Sequence, residues 1–173
     1  MRWTKTILAS LAFVFLSCEL PDPEAIYDNP LDRDNTSPSA LVFVPGQSVT
    51  NLGASVAVEV YAFEVTGVAG IHAQIQYDNT KLGISNVTPG SFFSDAQSPG
   101  FVWEADNGIL DIYTFYMGSD GSKDGTGPVA TVVFTTSLPG NTNIEFTAQS
   151  ELRDSTDGLI QLNELGTGTV SAQ

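Results

Sequence analysis

Seven consecutive residues, Ile71-His72-Ala73-Gln74-Ile75-Gln76-Tyr77, alternate strictly between apolar and polar. Period two with one apolar face is the pattern of a half-buried β-strand. Ile71, Ala73, Ile75 and Tyr77 form the inward set; His72, Gln74 and Gln76 form the outward one. Gly67 and Gly70 bracket the turn that leads in, where positive φ or close backbone approach is expected. Asp78-Asn79 closes the strand with side chains able to cap their own backbone. A further strand starts at 82–87, and the two are expected to be a central strand pair of a β-sandwich with the other strands as cover. The outward set is polar, flat and uncharged. That suits plain solvated surface or a recognition face equally, and the strand alone does not choose.

The rest of the folded part reads as strand and turn. Residues 41–44 form a short opening strand ended by Pro45-Gly46, and Val56, Val58 and Val60 alternate through a longer second one. Pro89-Gly90 breaks the chain before a loop over 91–99. Asp106-Asn107-Gly108 is a strong hairpin signal between 101–105 and 109–116. A Gly/Asp/Ser-rich loop is expected over 118–127. Ala130, Val132 and Phe134 are the inward set of the strand over 128–137. Residues 138–141 turn the chain, and Ile144, Phe146 and Ala148 continue the core. Asp154 to Gly158 turns once more, and 159–162 and 166–170 finish. Eight to nine strands at regular spacing point to an all-β sandwich or jelly roll.

Composition narrows the function. The formal net charge is −14, but Arg2 and Lys5 precede every acidic residue. After position 18, four basic residues (Arg33, Lys81, Lys123, Arg153) face 20 acidic ones, a charge of −16. Such a surface does not neutralise phosphates, so a nucleic-acid partner is excluded, and it does not dock on anionic lipid by charge. It suits the solubility of an exported protein.

Residues 1–17 have a basic start, an apolar run and a small residue before Cys18, the single cysteine, and are too short to span a bilayer. Phe15-Leu16-Ser17-Cys18 resembles the lipobox of bacterial lipoproteins, with Phe15 where leucine is usual. The resemblance implies a signal peptide over 1–17, lipid attachment at Cys18, and an exported, lipid-anchored protein of the cell envelope, at the outer membrane or cell surface. Residues 18–38 are rich in Pro and Asp and read as a flexible tether, with a reach of roughly 25 Å. The remaining 39–173 form the folded domain.

The order of motifs from about Ala54 to Ser171 resembles a cohesin domain. Gly67-Val68-Ala69-Gly70 precedes the strand ending Tyr77-Asp78, followed by Leu82, Val87 and Pro89-Gly90. Residues 127–134 match the family's late core strand. Leu152-Arg153-Asp154 with Asp157-Gly158, then Gly168-Thr169-Val170, match its end. The resemblance implies a nine-stranded jelly-roll β-sandwich that docks rather than catalyses. It implies a dockerin-type partner, itself the carrier of any calcium, in polysaccharide breakdown. The fold is shared with cellulose-binding modules, which leaves a polysaccharide ligand as the alternative, and an adhesion or assembly protein as another. In the best-known cohesins the central strand offers an outward Asn and Asp; aligned on Tyr77-Asp78, those positions are Gly70 and His72 here.

The candidate partner face is His72, Gln74 and Gln76 with outward residues of the hairpin. Burying an unpaired carboxylate is costly, so Asp111 points out. Alternation then carries Tyr113 and Phe115 with it and sends Leu110 and Ile112 inward. The alternative is a register shifted by one, with Tyr113 and Phe115 in the core. Glu104 outward places Phe101 and Trp103 inward. No cofactor and no metal site are expected: His72 is the sole histidine, and Asp120, Lys123 and Asp124 lack the spacing of a calcium loop. An enzyme is not expected, because a compact sandwich of this size has little room for a deep cleft.

Overall fold

A computed structural model describes residues 29–95, 99–116 and 121–173. The leader, Cys18, residues 19–28 and Asp120 lie outside the described residues. The fold is all strand, in two facing sheets. In chain order the strands are β1 (Ala40–Val44), β2 (Gln47–Thr50), β3 (Ser55–Val68), β4 (Gly70–Tyr77), β5 (Leu82–Pro89), β6 (Pro99–Asp106) and β7 (Ile109–Tyr116). They continue as β8 (Lys123–Thr136), β9 (Gly140–Phe146), β10 (Glu151–Arg153), β11 (Leu159–Ile160), β12 (Glu164–Leu165) and β13 (Thr167–Ala172).

One sheet runs β12-β1-β3-β8-β5. The other runs β11-β10-β4-β9-β13-β2, with β7 on the free edge of β4 and β6 outside β7. β4 is the hub of the second sheet. One edge is shared by β10, opposite Gly70 to His72, and β9, opposite Ile75 to Tyr77; the whole other edge takes β7. The segments 71–77 and 82–87 are therefore not a strand pair. β5 lies at the edge of the opposite sheet, paired with β8. Two successive strands with inward apolar sets can face each other across the core as readily as they can pair, and periodicity does not separate the two.

The alternation is obeyed. Ile71, Ala73 and Ile75 are buried, and Leu110, Ile112, Ala130, Val132, Phe134, Ile144 and Phe146 join them between the sheets. Phe43 of β1 stacks on Phe146 of β9, centroids 4.2 Å apart, which ties the layers together. Asn107 and Gly108 take φ of +48° and +83°, the primed turn that suits the right-handed twist of a hairpin. Asp78 Oδ1 accepts from the Thr80 amide and hydroxyl, and Asp154 Oδ1 from those of Thr156 and the Gly158 amide.

Several expectations are corrected. β8 begins at Lys123, inside the expected loop, because it pairs along almost the whole of β3. The 91–99 segment buries Phe92 and Phe93 at the rim of the core, and Phe93 meets Tyr116 edge-on. Ala148 is exposed, since β9 stops at Phe146. Trp103 shares the inward side with its register partner Ile112, yet is 40% exposed: β6 is the outermost strand, and among the described residues it pairs with β7 alone. The described part of the expected tether is ordered by contact. Leu31 packs against Ala40, Val42 and Phe63 on the outer face of the five-stranded sheet. Thr36 is buried there, with its hydroxyl donating to the Pro30 carbonyl, and Arg33 pairs with Glu64.

Candidate docking face

The outer surface of β10, β4, β7 and β6 is an open sheet face crossed by three rows of side chains. The first is Arg153, Gly70, Phe115 and Gly100. The second is Glu151, His72, Tyr113 and Val102. The third is Gln74, Asp111 and Glu104. Gln76 lies one step further along β4, exposed, opposite Ile109 and Glu145. All seven sequence-selected residues thus lie on one face, and the register that sends Tyr113 and Phe115 outward is the one adopted.

Tyr113 and Phe115 are 37% and 36% exposed, and Val102 beside them 58%. Each aromatic ring has a specific support. The Phe115 ring lies across Gly100: a Cβ built there would sit 2.3 Å from Cε2 of Phe115. Only a residue without a side chain leaves that shelf free. Gly70 stands on the other flank, where a Cβ would come within 3.8 Å of the Cβ of Phe115. The Tyr113 ring stacks on the His72 imidazole, centroids 4.3 Å apart and planes within 9°.

His72 is in turn fixed by a network. Its Nε2 meets Asp111 Oδ1 at 2.7 Å, and Gln74 Nε2 donates to the same oxygen at 2.9 Å. Gln74 Oε1 accepts from the Thr147 hydroxyl at 2.6 Å, and the backbone of Gln74 is clasped by Ser150. Asp111 is thus held in place by two donors, and the histidine is a positioning group rather than a loose surface residue. Arg153 is gripped by both oxygens of Glu151 and donates to the Asp157 carbonyl. The hydrogen bond to the Glu151 carboxylate first, then the charges of Glu151 and Asp157, hold its guanidinium above its usual range. The Tyr113 phenol is also raised, first by burial of its ring and then by the charges of Asp111, Glu104 and Glu151.

A shallow groove runs between the Phe115–Tyr113 shelf and the Arg153–Glu151 pair, floored by Gly70, Ile71 and Thr114. Such a surface can seat apolar side chains or a ring, with hydrogen-bonding groups at its edges. Among the described residues no three His, Cys, Asp or Glu side chains converge as metal ligands. In the expected loop, Lys123 is paired with Asp95, and Asp124 accepts from the Gly67 amide. Val102, Glu151, Arg153 and Thr147 were not placed on the candidate face from the sequence. β10 is only three residues long and β6 does not alternate in burial, so neither carries a readable period.

The comparisons with known proteins agree with this architecture. A family model for the cohesin domain matches residues 41–170, and the chain belongs to the cohesin family. A type II cohesin from the cellulosome of Acetivibrio cellulolyticus superposes with a TM-score of 0.67 at 18% identity, over 76% of this chain and 94% of that one. A non-cellulosomal cohesin from the archaeon Archaeoglobus fulgidus gives 0.64 at 18% identity, over 78% and 90%. A type I cohesin–dockerin complex from Clostridium thermocellum gives 0.63 at 18% identity, over 78% and 98%. A sequence search of curated proteins finds no significant match.

Proposed function

We propose that this cohesin-family chain is a non-catalytic docking module whose partner is a dockerin-type protein module. The partner seats on the outer face of β10, β4, β7 and β6. The observation that carries the reading is the rigidly mounted Tyr113–Phe115 pair, exposed on an open sheet face of a cohesin-family sandwich. Preorganised aromatic anchors with polar surroundings are the composition of interface hot spots. Solved structures that share the fold include cohesins in complex with dockerins.

The partner would be an enzyme or scaffold of polysaccharide breakdown, held at the cell envelope through lipid on Cys18. Residues 29–38 lie against the five-stranded sheet, so they and the proposed docking face lie on different sheets of the domain.

Calorimetric titration with calcium-loaded dockerin modules tests docking. The expected result is micromolar or tighter binding to the intact module, weakened about a hundredfold by Tyr113→Ala, the scale of a hot-spot truncation. Binding that ignores Tyr113→Ala would sink the assignment of the face. Cys18→Ser tests the anchor separately: it should move the protein from the membrane fraction to the soluble one, and unchanged fractionation refutes lipid attachment.

A further inference from the structure

The outer row Arg153, Gly70, Phe115 and Gly100 contains two glycines, and they are bare for different reasons. At Gly100 a Cβ would strike the Phe115 ring. At Gly70 nothing stands in the way. Its φ is not left-handed. Among the described residues a Cβ built there would meet only the Cβ of Arg153 at 3.7 Å and that of Phe115 at 3.8 Å, both ordinary contacts. A glycine inside a strand also weakens it relative to alanine. Neither the backbone nor the packing of the free domain therefore asks for glycine at position 70. Its effect is to leave a slot in the face.

The slot has two unlike walls and a set width. Arg153 and Phe115 flank Gly70 on the two neighbouring strands, so their backbones stand about 9–10 Å apart. One side chain touching both walls at about 4 Å fits that gap, and two do not. The Phe115 ring leans away over Gly100, and no ring or guanidinium atom comes within 4 Å of the Gly70 Cβ position. Glu151 and the Asp157 carbonyl engage the Arg153 nitrogens. What Arg153 still offers to the slot is the face of its guanidinium and its alkyl stem. His72 and Tyr113, stacked on each other, bound the slot along the next row. A carboxylate entering here would meet Glu151 and Asp157 and find the guanidinium already paired. A cation would be set against Arg153. The groups that fit are neutral.

We infer that the slot over Gly70 takes one aromatic side chain of the docking partner, held between Phe115 and the face of Arg153. The inference rests on the docking reading and specifies the partner's chemistry. An aromatic ring is the neutral group that gains from both walls. Phe115 offers it ring–ring contact, and the guanidinium offers cation–π stacking. The slot is continuous with the exposed Tyr113–Phe115 pair, so the incoming ring extends the same apolar surface instead of making an isolated contact. Gly70 is then a specificity-determining position: its missing side chain selects a partner that brings the ring.

The test titrates calcium-loaded dockerin modules, native and with each aromatic residue changed in turn to Ala, into the wild-type domain, Gly70→Ala and Gly70→Leu. The melting temperature of free Gly70→Ala should equal or exceed that of wild type, since neither φ nor a neighbour excludes a Cβ. Gly70→Leu fills the slot and should weaken the native module at least about thirtyfold, the scale of a hot-spot loss. Gly70→Ala fills it in part and should weaken binding about threefold to tenfold, which carries the test if Gly70→Leu melts early. One aromatic-to-Ala module should bind the wild-type domain about as weakly as the native module binds Gly70→Leu, and should lose nothing further against that variant. Native modules that bind both variants as tightly as wild type would overturn the inference while leaving the docking reading intact. So would a module set in which every aromatic truncation adds fully to the Gly70→Leu loss. No module binding at about 100 μM, or a soluble neutral glucan binding through the slot instead, would overturn both.

Discussion

The Phe115 ring occupies space that any side chain at position 100 would claim, and this gives a prediction with an internal control. In Gly100→Ala the new Cβ would lie 2.3 to 2.8 Å from three ring atoms, so the ring must leave its shelf. The backbone need not move, because the obstacle is the far end of a side chain. Phe115 is 36% exposed, so nearly two thirds of its surface is covered. For an aromatic side chain that is on the order of 130 Å². Losing about half of that cover costs about 1–2 kcal/mol at 25 cal/mol per Å². For a domain of this size the melting temperature should fall by about 3–6 °C. Docking should weaken in parallel, because the displaced ring no longer presents its face. Phe115→Ala supplies the control. In that background there is no ring to displace, and Gly100→Ala should be close to neutral, within about 0.5 kcal/mol. Differential scanning calorimetry of the two single variants and the double variant closes the cycle. Additive losses would refute the steric account and point instead to a backbone requirement at Gly100.

Three further outcomes follow from the same structure. Gln74→Ala removes the donor and acceptor that link Asp111 to Thr147, and should cost about 1–3 kcal/mol in a denaturant melt as partners are left unsatisfied; an unchanged midpoint would mean the network is ornamental. Leu31→Ala should cost about 1–2 kcal/mol, less than a fully buried leucine, by uncovering Val42 and Phe63; no loss would show that residues 29–38 add nothing to the domain. Asp78, Asp95 and Asp154 have folded-state pKa values below their ordinary one, held down respectively by Thr80, by Lys123, and by Thr156 with Gly158. A depressed carboxylate contributes stability that is present above its unfolded pKa and lost as pH falls through the folded one, so the melting temperature should begin to drop only below about pH 4. A drop already under way at pH 6 would require some other group.

The outward face was legible where one strand carries its own period. Residues 71–77 alternate, and a carboxylate at 111 argues for one side of β7, so His72, Gln74, Gln76, Asp111, Tyr113 and Phe115 could be proposed for one surface, with the register shifted by one as the open alternative. The Asn107-Gly108 turn, the Asp78 cap and the turn over Asp154 to Gly158 are local chemistry and were equally readable. What the sequence hid is what depends on distant neighbours. Trp103 faces the core side but ends exposed, because burial is decided by whether a strand has cover, not by its own pattern. Phe92 and Phe93 are core residues inside a turn, with no period to mark them. Val42 and Ala40 belong to a second apolar cluster outside the sheet, visible only once Leu31 is seen to cover them. The supports of the aromatic pair are likewise tertiary: a bare Gly100 on β6, an imidazole on β4, and a hydroxyl at Thr147 beyond β9.

The central claim is that a dockerin module docks on the outer face of β10, β4, β7 and β6. An amide NMR titration of the isotope-labelled domain with a calcium-loaded dockerin tests it residue by residue. The account predicts that the largest shifts fall on His72, Gln74, Glu104, Asp111, Tyr113 and Phe115, with Glu59, Tyr61 and Val133 of the opposite sheet unmoved. Shifts concentrated on that opposite sheet, or none at saturating dockerin, would contradict it.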